Sequence, residues 1–270
     1  MIDSREEFAM ITAKKGGFQI RSVAKSLIIL DLLSESRQGM PLAVIARKMD
    51  MAKSTVHGLL STLRDYGFVE QSEFDGNYKL GNKLFELGSK VANNWDVHRI
   101  APPYMQKLVE AMKETVHLVV LDKGEVLYID KYESESNHSF QIVSKIGSRL
   151  PAHCTGVGKA LLAFIPLQEA RQIMNQKGLA RYTKNTITDP EALELEFQKI
   201  RNQGYAEDNE EIMDSLRCVA APIWDHNSKV SSAISISGPS TRMNAEKMEL
   251  CKKYILQIAQ EISACIGYRP

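Results

Sequence analysis

KSTVHGLLSTLRDYG, residues 53–67, is the stretch on which the fold turns. Val56, Leu59, Leu60 and Leu63 fall at i, i+3, i+4 and i+7, one apolar stripe of an α-helix. Ser54, Gly58 and Ser61 point the opposite way, with Thr55, His57 and Thr62 flanking that outer face. Small hydroxyl side chains at the exposed N-terminal end let such a helix approach base edges and phosphates closely. Immediately upstream, Asp50-Met51-Ala52 reads as a tight turn and LAVIARKM as a short helix, with Pro41 where a first turn tolerates it. Further back, Val23, Leu27, Leu30 and Leu33 predict another helix, capped by Ser22 and ending near SESRQG. Downstream of Gly67, FVEQSEF and NYKLG alternate in period two around Asp75-Gly76, a hairpin signal. Two short helices, a tight turn and a hairpin make a winged helix-turn-helix domain over residues 19–80, preceded by a tail of residues 1–18.

Charge agrees with this reading. From Phe8 to Arg64 there are nine Lys/Arg against three Asp/Glu, although the whole chain of 270 residues has a net charge of only +1. Positive charge gathered on one domain is the electrostatic footprint of a nucleic-acid binder. The outer face of the helix nominates Lys53, Ser54, Thr55, His57, Ser61 and Thr62 for DNA contact, and Arg47 and Lys48 of the preceding helix for phosphates. No apolar run approaches the ~18 residues of a membrane span, so a cytoplasmic protein is expected. Cys154, Cys218, Cys251 and Cys265 lack CxxC spacing and the six histidines form no HExxH, so neither disulfides, metal nor cofactor is expected.

Beyond the wing, KLFELGSKVANN continues as an amphipathic linker helix over residues 81–97, and a C-terminal domain occupies 98–270. VHLVVL and EVLYIDKY, separated by DKG, predict one antiparallel hairpin, and LRCVAAPIW and KVSSAISIS, separated by DHNS, a second. Helices are expected around DVHRIAPPYMQKLVEAMKET, at PLQEARQIMNQ, at DPEALELEFQKIRNQG with Asp189 as cap, and at NAEKMELCKKYILQIAQEISACIG. Segregated helices with hairpins indicate an α+β domain built on a mostly antiparallel sheet. Strand parity puts Ser235 and Ser237 on one face, and Leu216 and Cys218 together on a face of the preceding strand. Were these faces to meet, the buried hydroxyls would need a polar ligand or internal partners.

LPAHCTGVGKA, residues 150–160, invites three readings. A phosphate-binding P-loop fails, because His153 stands at its first glycine position and Ala160 where Ser or Thr must hold magnesium. A Cys154 nucleophile is disfavoured, because neighbours on an extended chain point apart and leave His153 poorly placed as its base. The remaining reading is a loop entering the GKALLAF helix, whose first-turn amides at Gly156 and Val157 form a seat for an anion.

IRSVAKSLIILDLL, KSTVHGLLSTLRDYGFVEQ and YKLGNKLFELG resemble the isocitrate lyase regulator (IclR) family of bacterial transcription factors. The resemblance continues through GSRLPAHCTGVGKALLAF and GYAEDNEEIMDSLRCVAAPIWDHNSKVSSAISISGPSTR, although Gly58 stands where many members carry a long basic side chain. It implies a GAF-like effector domain holding a small organic acid, at positions matching Gly156, Val157, Asp208, Cys218, Ser235 and Ser237, with Ile142, Leu150 and Leu216 as apolar wall. It also implies a homodimer or dimer of dimers on double-stranded operator DNA, and no catalysis. The expected function is a repressor of a catabolic operon controlled by a sugar acid or keto acid. The competing readings are a cysteine-dependent enzyme fused to a DNA-binding module, and an adaptor whose helix-turn-helix never meets DNA.

Overall fold

The computed structural model describes residues 20–134 and 144–269. The expected tail, residues 1–18, and the expected pocket residue Ile142 lie outside the described residues. The chain divides into two compact units, one ending at Asn94 and the other starting at Trp95.

In the N-terminal unit, α1 (Arg21–Ser34), α2 (Leu42–Lys48) and α3 (Lys53–Asp65) enclose a core of Ile29, Leu33, Ile45, Val56 and Leu60. Asp50 takes a left-handed conformation (φ 51°) in the turn between α2 and α3, and Met51 N–H donates to Ala46 O at 3.0 Å to close it. Strands β1 (Val69–Gln71) and β2 (Tyr78–Leu80) pair antiparallel, Val69 opposite Leu80. Their turn is pinned by Gly76 N–H to Ser72 O (2.9 Å) and Asn77 N–H to Asp75 Oδ1 (3.0 Å). The helix-turn-helix and wing therefore form from the residues whose spacing predicts them. Met40 adds a bridge to Tyr78 that local pattern does not announce.

The first helix corrects two details. Its N-cap is Ile20, with no side-chain cap from Ser22, and Val23 and Leu27 are 54% and 57% exposed. The buried residues, Ile29 and Leu33, both lie in the C-terminal half of the helix. Apolar spacing identifies a stripe but not how much of its length meets a partner, which is a matter of packing. Helix α4 (Asn82–Asn93) is more extreme: none of its residues is buried, and Phe85, Leu87 and Val91 are exposed.

The C-terminal unit begins with α5 (Asp96–Ile100) and α6 (Pro102–Met112), the latter opening on its two prolines. Strands β3 (Thr115–Asp122), β4 (Glu125–Tyr132), β5 (Arg149–Pro151), β6 (Ala206–Asn209), β7 (Leu216–Trp224) and β8 (Val230–Pro239) form one antiparallel sheet in the order β5-β4-β3-β8-β7-β6. Both predicted hairpins are present, joined through β3 and β8. The first turns on Lys123 and Gly124, each with positive φ (53° and 78°), the geometry of a two-residue hairpin loop. The short edge strands β5 and β6 were not anticipated. One sheet face packs Val116, Leu118, Val219, Ile234 and Ile236 with α6 and α10 (Ala245–Ile266). The other packs Val119, Tyr128 and Ala220 with α7 (Gly156–Leu162), α8 (Leu167–Lys177) and α9 (Pro190–Gln203). Asp189 caps α9 by accepting from Ala192 N–H (2.8 Å), and Gly204 ends it in the left-handed conformation.

Candidate functional site

On the N-terminal unit, Lys53, Ser54, Thr55, His57 and Thr62 of α3 are exposed, together with Arg47 and Lys48 of α2. Ser61 is half-buried, toward the end of α3 against which β1 packs, and so is less available than expected. The Thr62 hydroxyl turns back to Gly58 O (3.1 Å), and Lys48 Nζ lies 3.2 Å from Glu35 Oε2. A Cβ at Gly58 would meet only open space, so the missing side chain leaves the helix face shallow there. The N-terminus of α3 has no side-chain cap and no acid in its first turn, which leaves the Lys53 and Ser54 amides and the positive dipole end to an external anion.

In the C-terminal unit, sheet register joins residues that are far apart in sequence. Cys218 lies opposite Asp208 on one side and Ser237 on the other; Ser235 lies opposite Ala220 and His117, and Ser237 opposite Thr115. Of these, Asp208, Cys218, Ser235, Ser237 and His117 border a cavity of about 260 Å³, lined also by Leu150, Thr155, Gly156, Val157 and Leu216. The faces that parity left unconnected thus meet. Among the described residues, Tyr128, Ser144, Tyr182, Ile212 and Met213 also line it, and the sequence pattern predicts neither these nor His117. His117 was legible as the one imidazole inside the apolar strand VHLVVL; Ser144 and Tyr182 come from loops and left no periodic signal.

The loop of residues 150–160 is explained by close packing. A Cβ at Gly156 would press on Cys218 Sγ, and one at Gly158 would collide with the Ala152 carbonyl, so both glycines are required by approach of neighbouring atoms. Thr155 caps α7 by accepting from Gly158 N–H (3.2 Å), and the Gly156 amide donates toward Cys218 Sγ. The Val157 amide is the first-turn donor that neither of them takes, which narrows the expected anion seat. Lys159, far from cradling phosphate, is fully buried in an ion pair with Glu211, with Glu196 Oε1 at 3.7 Å. The thiols of Cys154 and Cys218 are both pushed up to about 12, by burial first and then by Asp208, opposite to what a nucleophile needs. His153 turns its Nε2 to Ala180 O at 3.0 Å, away from any role as a base for Cys154.

Residues 22–73 match the IclR helix-turn-helix domain, and residues 89–264 match the domain described as Bacterial transcriptional regulator IclR C-terminal. The chain belongs to the IclR family. It is 38% identical over 249 residues to the HTH-type transcriptional regulator KdgR of Escherichia coli K12, covering 92% of this chain and 94% of KdgR. Identity to the transcriptional repressor IclR of the same organism is 32% over 261 residues, 96% and 94% of the two chains. Among solved structures, an IclR homologue from Microbacterium hydrocarbonoxydans complexed with 4-hydroxybenzoate superposes with a TM-score of 0.80 at 26% identity, covering 91% of this chain and 98% of that one. This IclR-family chain is a DNA-binding transcriptional regulator, and its relatives are regulators, not enzymes. No helix among the described residues is long and apolar enough to cross a membrane.

The electrostatics of this IclR-type cavity centre on Asp208. Burial pushes its carboxyl up to about 7; the Glu211 N–H (2.8 Å to Oδ1) draws it down, and the Glu211 carboxylate raises it again. With a folded-state pKa above the unfolded ~3.9, the native protein binds the extra proton between about pH 4 and pH 7. The group's contribution to stability is therefore full below that window and is lost as pH rises through it. Asp208→Asn is expected to gain thermal stability relative to the parent chain as pH goes from 5 to 8, as read by melting curves. An unchanged difference between the two pH values would contradict the assignment.

Proposed function

We propose that the chain is a cytoplasmic repressor of a catabolic operon, controlled by a small carboxylate metabolite such as a sugar acid or keto acid. The observation that carries the effector half is the register across β6, β7 and β8, which lines Asp208, Cys218, Ser235 and Ser237 along one wall of the cavity. Asp208 accepts from the Glu211 amide, and Ser235 and Ser237 have only a long 3.5 Å contact with His117, so the oxygens of a hydroxylated ligand add closer partners, worth about 0.5–1.5 kcal/mol net each. The Val157 amide, at the positive end of α7, suits the ligand carboxylate, with Gly156 beside it, while Leu150 and Leu216 cover its carbon chain. A relative crystallised with 4-hydroxybenzoate supports a carboxylate as the ligand class.

In the DNA half, residues 19–80 read the operator through Lys53, Ser54, Thr55 and His57, with Ser61 and Thr62 at the margin and Arg47 and Lys48 on phosphates. Residues 81–97 link this domain to the effector domain of residues 98–270. One winged helix reaches few bases, so two copies are needed on a palindromic site with half-sites about one helical turn apart. The unburied apolar positions Phe85, Leu87 and Val91 of α4, and Val23 and Leu27 of α1, offer apolar surface for a homodimer or a dimer of dimers. Sedimentation velocity returning only monomer mass would overturn this part.

The test of the whole reading pairs effector titration with operator release. Cys154→Ser is expected to retain effector binding, whereas Ser235→Ala and Ser237→Ala each weaken a hydroxylated acid by about 0.5–1.5 kcal/mol, the net worth of one neutral hydrogen bond. Loss of all response in Cys154→Ser would restore the enzyme reading. Indifference to both serine substitutions would remove the cavity as the effector site.

A further inference from the structure

One side chain of the cavity has more hydrogen-bonding capacity than its neighbours use. His117 is 2% exposed, in mid-β3, with its ring edge against Tyr128 at 5.2 Å between centroids. Its Nε2 lies 2.8 Å from Ser144 Oγ, a full hydrogen bond, while Nδ1 lies 3.5 Å from both Ser235 Oγ and Ser237 Oγ. At 3.5 Å a contact stands at the outer limit of hydrogen bonding, so the two hydroxyls share Nδ1 without either closing on it. Burial, seconded by the charge of Lys131, pushes the imidazole down to about 3, which keeps it neutral. A neutral imidazole has one donor and one acceptor nitrogen; with Nε2 committed to Ser144, Nδ1 and the two serines remain a polar triangle open to one more hydroxyl.

The charges around this triangle restrict what fills it. His117 is neutral and its two serine neighbours carry no charge, so this end of the cavity offers no counter-charge to a carboxylate. The ligand's carboxylate therefore belongs at the other end, by α7, and its hydroxyl-bearing carbons against His117. A ring or methylene chain placed there would leave Nδ1 and Ser235 only their 3.5 Å contact, and Ser237 that contact and Cys218. Sites built to bond a hydroxyl reject analogues lacking it far more strongly than apolar pockets sort by size.

We propose that His117 is the specificity-determining residue of the cavity, receiving a hydroxyl of a polyhydroxylated monocarboxylate and excluding aromatic acids and dicarboxylates. This rests on the effector reading above. The assignment is specific to one ring nitrogen, which gives it a sharp test. His117→Asn keeps a hydrogen-bonding atom near the position of Nδ1, whereas His117→Gln reaches toward Ser144 as Nε2 does and leaves the Nδ1 position empty.

Calorimetric titration of the full chain with D-gluconate, benzoate and glutarate reads the outcome, with melting curves as the control for folding. The parent chain is expected to prefer gluconate to the other two by at least about tenfold. His117→Asn is expected to hold gluconate within about tenfold of the parent, and His117→Gln to lose about 100-fold or more and with it the preference. Gluconate binding that survives in His117→Gln, or a parent chain that prefers benzoate or glutarate, overturns the assignment while the effector reading stands. A parent chain that binds none of the three acids overturns the effector reading itself, and this inference with it.

Discussion

Ser54→Asp is expected to lower operator affinity by about 100-fold or more while the protein melts at the same temperature or slightly higher. Ser54 is exposed in the first turn of α3, a helix that carries no cap and no acidic residue there. For folding alone, a carboxylate at that position is favourable by about 0.3–1 kcal/mol, because it complements the helix dipole and the free amides. Facing DNA, the same carboxylate replaces an approach to phosphate with like-charge repulsion, which costs several kcal/mol at an interface. Stability and binding thus move in opposite directions, which separates loss of recognition from loss of fold. Electrophoretic mobility shift of the full chain on its operator, with melting curves alongside, checks both. Operator affinity that is unchanged in Ser54→Asp would remove α3 as the reading helix, and a helix-turn-helix used only for packing would take its place.

The largest effect on stability is expected at Glu114, which no motif marks. Its carboxylate is fully buried, receives Arg242 Nε and Nη2 at 2.8 and 2.7 Å, and receives Lys247 Nζ at 2.6 Å. It thereby ties the start of β3 to the segment between β8 and α10 and to the first turn of α10. A Cβ at Gly238 would press on the same carboxylate, so the backbone is shaped around it. Removing one partner of a buried ion pair costs about 3–5 kcal/mol, because the desolvated partners are left uncompensated. Arg242 and Lys247 are 35% and 24% exposed, so some of that loss is recovered by water. Glu114→Ala is accordingly expected to destabilise the C-terminal unit by about 3 kcal/mol in urea unfolding. A change below about 1 kcal/mol would mean that the two cations hydrate freely and the pairing is incidental.

The amino-acid sequence by itself determined the longer elements, though not the short edge strands β5 and β6. Helices α2, α3, α9 and α10, the wing and both hairpins of the large sheet stand where periodicity, caps and turn residues put them, because each depends on hydrogen bonds and side-chain spacing within a few residues of itself. Asp189 before Pro190 and Lys123-Gly124 between two apolar strands are such local instructions. The same locality made strand parity informative: that Ser235 and Ser237 share a face follows from the pleat alone.

What only the tertiary structure decided is which faces meet. The pairing of Cys218 with both Asp208 and Ser237, and of His117 with Ser235, depends on the order of strands, and no one segment carries that information. Ser144 and Tyr182 enter the cavity from loops, where no period exists to read. The exposure of Val23 and Leu27 is the converse case, since an apolar stripe says that a helix wants a partner but not whether its own core supplies one. Lys159 is the sharpest instance: the sequence excludes a P-loop around it but names no partner, and it ends in an ion pair with Glu211 from a distant part of the chain. A charge buried in the interior must find its counter-charge wherever the fold brings one, and that distance along the chain is set by topology.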